Sequence, residues 1–456
     1  MKLITILAIT TALIVHHLSL RGVASIANHT TFHNVDTTGF SFPLIAKTTV
    51  HHRNDDFLHL FHPLHENLLQ RPPSSTSSSV ENITFLHSKT NILEPLQFSF
   101  EMVVDVGTGS GRQVYYLKID NSEKFTWIQC IPCTPHAQQH NSLFNPAASP
   151  TFHYIPNTSP LCQPPHSHPE GNQCAFHLIS LRGMSVTGYL SQDQVTILTS
   201  VLQNFLFGCS HSTHNFDSEG KYAGVISLGR NPTSLVMQAA AHGRTQFSYC
   251  LFEGGKTNRQ GFLRFGTDIP HSLHYRTTSI LPAFDAHESG YYLNLIGVSL
   301  GGRKLDRIHP EMFARGKDNK GGCVIDLSTP LTVMVQEAYK IIEDAIWSDL
   351  QHHKVERAKH PGFGLCFRAT EATKGQLQSL SLQFSEEEAV LILSPPRLFL
   401  MMHDIQGQIA CLAMTPGDRT IIGAFQQVDT RFVYDVKDSK LSFASESCIQ
   451  DTTEVN

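Results

Sequence analysis

The sequence predicts an all-β protein built of two similar β-lobes that meet at a central cleft, with a few short helices. Three observations carry that expectation. From about residue 96 onward, short β-branched and aromatic runs recur, among them FSFEMVVDV, VYYLKID, FTWIQC, FLFGC, GFLRFG, YYLNLIGVSL, CVIDL and RFVYDV, and Gly, Pro and Asn punctuate them. Helical periodicity is confined to SLVMQAAAH (234–242) and QEAYKIIEDAIWSDLQ (336–351). The chain also repeats itself. Two distant strand-like runs end on an acid in one frame, Ile119-Asp120-Asn121-Ser122 and Ile325-Asp326-Leu327-Ser328. Each half carries an apolar pair leading into a turn, Val225-Ile226-Ser227 in the first and Ile421-Ile422-Gly423 in the second. Two lobes that each bring one aspartate to a shared cleft would explain the repeat.

The elements follow in chain order. Lys2 precedes an apolar run from Leu3 to Val15, too short to span a bilayer, with small residues near Ala24 and Ala27 as cleavage points. Residues 1–27 therefore read as a signal peptide, and the product is expected to be secreted (extracellular or apoplast) or vacuolar. Residues 28–95 have no cysteine, many histidines and the Ser/Pro-rich stretch RPPSSTSSS (71–79), and read as a prosegment-like region with a linker. Residues 96–285 and 286–449 are the expected N-terminal and C-terminal β-lobes, and 450–456 a tail.

The 456 residues are 41 % apolar, enough for a real core. The net charge of −5 gives no strong field toward nucleic acid or an anionic membrane, and neither is expected as a partner. Protonating all 27 histidines would carry the charge to +22, although histidines scattered on a solvated surface need no function. The pairs His16-His17, His51-His52 and His352-His353 lack helical ligand spacing, so no metal site and no cofactor is expected. All ten cysteines lie beyond residue 129, and an even count behind a signal peptide implies disulfides. Asn28, Asn82 and Asn157 head N-x-S/T sequons.

Over roughly residues 96–449 the chain resembles the pepsin-like aspartic proteases, and within them the plant nepenthesin-like branch. The resemblance is carried by WIQCIPC (127–133), LFNPAASPTFHYIP (143–156), FLFGCS, FSYCL, GFLRFG, YYLNLIGVSLGGRKL, CLAM (411–414) and IIGAFQQVDTRFVYDVKDSKLSFASESC (421–448), in family order. GFSFPLIAKTTVHHR (39–53) is similar to the family prosegment. The resemblance implies a bilobal pepsin-like fold and a catalytic pair, Asp120 and Asp326. Two such carboxylates share one proton; one acts as base on a water while the other polarises the peptide carbonyl. It also implies a peptide or protein substrate or ligand in the cleft, and a monomer.

The same resemblance exposes departures. The family writes Asp-Thr-Gly-Ser at its first site and Asp-Ser/Thr-Gly-Thr/Ser at its second; here stand Asp120-Asn121-Ser122-Glu123 and Asp326-Leu327-Ser328-Thr329. Ser122 and Ser328 replace glycines whose N–H reaches the carboxylate, and Ser227 fills a third glycine position, while Gly423 is kept. Leu327 cannot make the inter-loop hydrogen bond of its position, whereas Asn121 can. Glu123 either turns a third carboxylate inward or leaves its aspartate without a hydroxyl donor. In the flap, Ser180-Leu181-Arg182-Gly183-Met184 stands before Thr187 and Gly188, with Ser180 in place of the covering tyrosine. Two branch cysteines are replaced, near His136 and at Asn157, which suggests one disulfide lost whole. Cys366–Cys411 and Cys323–Cys448 are the pairings expected. Two functions stay open: an impaired aspartic endopeptidase, or a non-catalytic relative binding peptide or protein in or around the cleft, such as an inhibitor of secreted glycoside hydrolases.

Overall fold

A computed structural model describes residues 31–33, 39–49 and 97–448, except 109–111, 163–166, 180–182, 198–199, 217–220, 253–259, 272–273, 285–287, 317–320, 371–372, 374 and 405. The signal peptide, the stretch 71–79, the sequons at Asn28 and Asn82, and the flap residues Ser180, Leu181 and Arg182 lie outside the described residues.

The fold is mostly β, as expected. The strand Gln113–Asp120 shows how the first acid is placed. Tyr115, Leu117 and Ile119 are buried while their neighbours are half-buried or exposed, so strict alternation turns Asp120 away from the packed face. The strand Gly224–Ser227 is buried throughout and runs parallel to it, setting Ser227 beside Asp120. The second lobe repeats the arrangement. Cys323–Ile325 is wholly buried and runs parallel to Thr420–Ile422, with Ile325 opposite Ile422. The backbone beyond each strand is tied down: the Leu228 N–H donates to the Asp120 carbonyl at 2.8 Å, and the Asp326 N–H to the Ile422 carbonyl at 3.1 Å.

Both expected helices form. Leu235–Ala241 is capped by Ser234, whose hydroxyl accepts the Met237 N–H at 3.1 Å. Gln336–His352 buries Ala338, Ile342, Ile346 and Leu350, one apolar stripe at four-residue spacing.

Among the described residues, one sixteen-stranded sheet joins the lobes, and sheets of five, four and four strands complete the second lobe. The strand Gly39–Thr49 lies inside the large sheet. It is antiparallel to Gln260–Gly266 on one side and to Gln97–Val106 on the other. Phe40, Phe42 and Leu44 are buried, Phe40 stacks on Phe265 with ring centroids 4.5 Å apart, and the Ser41 hydroxyl donates to Asp268 at 2.7 Å. Part of the stretch read as prosegment-like is thus an interior strand of the folded body.

Four disulfides form: Cys130–Cys209, Cys162–Cys174, Cys250–Cys448 and Cys366–Cys411. The expected Cys366–Cys411 pair is present, and Cys323–Cys448 is not. Topology separates those two. Cys323 lies in the five-stranded sheet opposite Leu293 and Thr420. Cys448 follows the strand Lys440–Ser445 of the large sheet, beside the strand pair that carries Cys250 opposite Arg431. Cys133 and Cys323 remain buried thiols, so the even count did not mean full pairing. Without a disulfide partner, the Cys133 thiol donates to the Pro135 carbonyl at 3.5 Å and lies 3.9 Å from the Thr213 hydroxyl, and the His136 ring is within 3.3 Å of the Cys133 carbonyl.

Candidate active site

The two loops that follow Asp120 and Asp326 meet between the lobes. Asp326 is 6 % exposed, while Asp120 is only partly covered. Burial and then the nearby charge of Asp326 push the Asp120 carboxyl above the usual carboxylate range. The fold therefore brings both sequence-predicted acids into one interacting site.

Hydroxyls crowd that site. Asp120 Oδ1 accepts the Ser122 N–H at 2.7 Å, the Ser122 hydroxyl at 2.8 Å and the Glu123 N–H at 3.1 Å. Asp326 Oδ1 accepts the Ser328 N–H at 2.9 Å and its hydroxyl at 3.0 Å. The same hydroxyl reaches Asp326 Oδ2 at 2.9 Å, where the Thr329 hydroxyl also donates at 2.6 Å. The backbone contact expected of glycine at these positions survives in both serines. What serine adds is a second donor on a carboxylate oxygen.

Ser227 is admitted for a local reason: its hydroxyl donates to the Glu123 carbonyl at 2.6 Å and accepts the Gly229 N–H at 3.2 Å. Its counterpart Gly423 has no such room, since a Cβ there would fall 2.4 Å from the Leu331 backbone carbon. Glu123 does not bond Asp120 through its side chain; its Oε1 accepts the Lys124 N–H at 2.7 Å. Burial and then the Asp120 charge push its carboxyl up to about 7. Both features weighed in the sequence are present together, a missing hydroxyl donor and a neighbouring carboxyl.

Asn121 ties the two aspartate loops together. Its Nδ2 donates to the Ile325 carbonyl at 3.1 Å, and its Oδ1 accepts the Leu327 N–H at 2.8 Å. The polar groups on both sides of Asp326 are satisfied from the first lobe, while Leu327 is buried in the apolar core. The sequence did not reveal a further set of buried polar residues behind Asp326. Gln427 Nε2 donates to the Asp326 carbonyl at 3.1 Å and the Ile422 carbonyl at 2.9 Å. The Tyr249 hydroxyl donates to Gln427 Oε1 at 2.7 Å and lies 2.7 Å from the Tyr434 hydroxyl. FSYCL, IIGAFQQ and RFVYDV contain these residues, but a tyrosine in a strand carries no sign of its partner. Among the described residues no group of three His, Cys, Asp or Glu is placed to hold a metal.

Sequence comparison sharpens this geometry. Residues 102–267 match the family described as xylanase inhibitor N-terminal, and residues 290–445 the one described as xylanase inhibitor C-terminal. The aspartic proteinase nepenthesin-2 of Nepenthes gracilis is 29 % identical over 353 residues, 76 % of this chain and 78 % of that protein. The chain belongs to the pepsin-like aspartic protease family. Among its plant members, the aspartyl protease family protein 2 of Arabidopsis thaliana is 27 % identical over 364 residues, covering 77 % of this chain and 72 % of its own length. The pepsin-like fold also matches the crystal structure of EDGP with a TM-score of 0.62 at 17 % identity, over 79 % of this chain and 95 % of that one. That likeness concerns the fold alone.

Proposed function

We propose that this chain is a secreted aspartic-type endopeptidase whose Asp120–Asp326 dyad is held at low activity. The observation that carries this reading is the double one at the dyad. Asp120 feels the charge of Asp326, as a proton-sharing pair requires, yet the Ser122 and Ser328 hydroxyls occupy carboxylate lone pairs. In this reading Asp120 holds the shared proton on Oδ2, which accepts no hydrogen bond from the described residues, and gives it to the peptide carbonyl oxygen. Asp326 takes a proton from the attacking water and later passes it to the leaving nitrogen. The serine hydroxyls compete with that water. Displacing one charge-assisted hydrogen bond costs about 1.5–3 kcal/mol, which slows the reaction by about ten- to a hundredfold. Four disulfides support passage through an oxidising compartment.

The test is cleavage of a broad peptide library by the purified chain between about pH 2.5 and 6, the range in which a carboxylate pair shares a proton. Pepstatin and an Asp120→Asn variant serve as controls. Slow, pepstatin-sensitive cleavage that is lost in the variant supports the proposal. No cleavage by a folded protein overturns it in favour of a second reading, a non-catalytic binding protein. That reading is favoured by the xylanase inhibitor description of both matched families. It predicts saturable inhibition of a secreted xylanase or related glycoside hydrolase.

A further inference from the structure

We propose that Tyr249 and Gln427 are positioning residues for Asp326, fed by a one-way hydrogen-bond relay that starts at Asn121. The direction follows from the partners. Gln427 Nε2 donates to two carbonyls, those of Asp326 and Ile422, so its other atom is an acceptor. The Tyr249 hydroxyl donates to that acceptor at 2.7 Å, so its remaining contact, with Tyr434, must accept. Tyr434 therefore donates to Tyr249, and its own oxygen receives Asn121 Nδ2 at 3.5 Å. Asn121 is oriented in turn, because its Oδ1 accepts the Leu327 N–H.

The relay closes a ring around the backbone of Asp326. Asn121 holds the carbonyl of Ile325 and the N–H of Leu327, and Gln427 holds the carbonyl of Asp326 itself. Asn121, Tyr249, Tyr434 and Gln427 are all 0 % exposed, so a lost link strands a buried polar group. The two phenols come from Gln246–Cys250 and Thr430–Asp435, adjacent strands of the lobe-joining sheet. That sheet thereby touches a catalytic loop through hydroxyls as well as through packing, and it serves the side of the site where Leu327 offers no hydrogen bond of its own.

The direction makes the two tyrosines unequal. Tyr249→Phe removes the donor that orients Gln427, whereas Tyr434→Phe leaves that contact intact. Amide hydrogen exchange over residues 326–328, and the chemical shift of the Asp326 carboxyl carbon at one fixed pH, read the difference. Tyr249→Phe should speed exchange there by about tenfold, the worth of one buried hydrogen bond. It should also move that carbon line, because the Ser328 and Thr329 hydrogen bonds to the carboxylate loosen. Tyr434→Phe, which deletes an identical hydroxyl from an equally buried ring, should change both by less than about a third as much. If Tyr249→Phe does not fold, Gln427→Leu replaces it and should give the same two effects. Equal effects of the two phenylalanine variants, or no effect of Tyr249→Phe, would overturn the relay. The inference takes from the functional reading only that Asp326 belongs to the site. Neither readout needs peptide cleavage, so an inactive dyad would not decide it.

Discussion

Asn121 and Leu327 hold the same position in the two aspartate loops, yet only Asn121 reaches across: its Oδ1 accepts the Leu327 N–H at 2.8 Å and its Nδ2 donates to the Ile325 carbonyl at 3.1 Å. The inter-loop tie is one-sided. Asn121→Ala should cost about 2–4 kcal/mol, since it leaves two buried backbone groups unpaired. Leu327→Ala should cost a similar amount for a different reason, the cavity it leaves. Denaturant unfolding measures both. A loss under about 0.5 kcal/mol for Asn121→Ala would mean that water or a shifted loop satisfies those groups.

Activity should respond to the serines that stand in place of glycine. Ser122→Gly combined with Ser328→Gly frees lone pairs on both carboxylates while keeping each backbone N–H donor. Pepstatin-sensitive cleavage should rise by about tenfold or more. An unchanged or lower kcat would show that the hydroxyls do not compete with the attacking water.

Stability should fall toward neutral pH through Glu123. Its carboxyl ionises near 4.5 when unfolded and is pushed up to about 7 in the fold. Between those values the native chain binds the extra proton, so the stability is complete below about pH 4.5 and declines as pH rises through 7. The raised Asp120 carboxyl acts in the same direction. Glu123→Gln should remove about 1–3 kcal/mol of that decline, read from urea midpoints across the range. An equally steep profile in the variant would exclude Glu123 as its source.

The thiols give a count. Cys133 and Cys323 are buried and unpaired, and burial pushes both thiols up, Cys323 to about 12. A thiol reagent should label neither in the native protein and both after unfolding without reductant. Labelling at Cys250 or Cys448 would contradict the observed pairing. Opening that bridge by Cys448→Ser should cost about 2–5 kcal/mol.

Much of this molecule was legible in the sequence because its signals are local. Strand alternation before Asp120, the apolar strand before Asp326 and the spacing of residues 336–351 each survive as elements. Asp120 and Asp326 announced themselves by a shared frame. What escaped depends on contacts between distant segments. Nothing near Cys323 says that a different sheet separates it from Cys448, and nothing near Gln427 says that Tyr249 points at it. Ser227 looked like an intrusion on a glycine position, and the Glu123 carbonyl that receives its hydroxyl lies 104 residues earlier.

The strand Gly39–Thr49 has a practical consequence. The matched family region begins only at residue 102, so a recombinant boundary drawn there or at residue 96 would discard this strand. A start at residue 96 would open a slot between Gln260–Gly266 and Gln97–Val106, leaving two bare sheet edges and an unfilled apolar groove where Phe40, Phe42 and Leu44 had been; a start at 102 would also cut away the residues that pair with it. Such a product should clump on expression, and its silence in an assay would say nothing about Asp120 or Asp326. Supplying residues 39–49 as a separate peptide is the natural rescue.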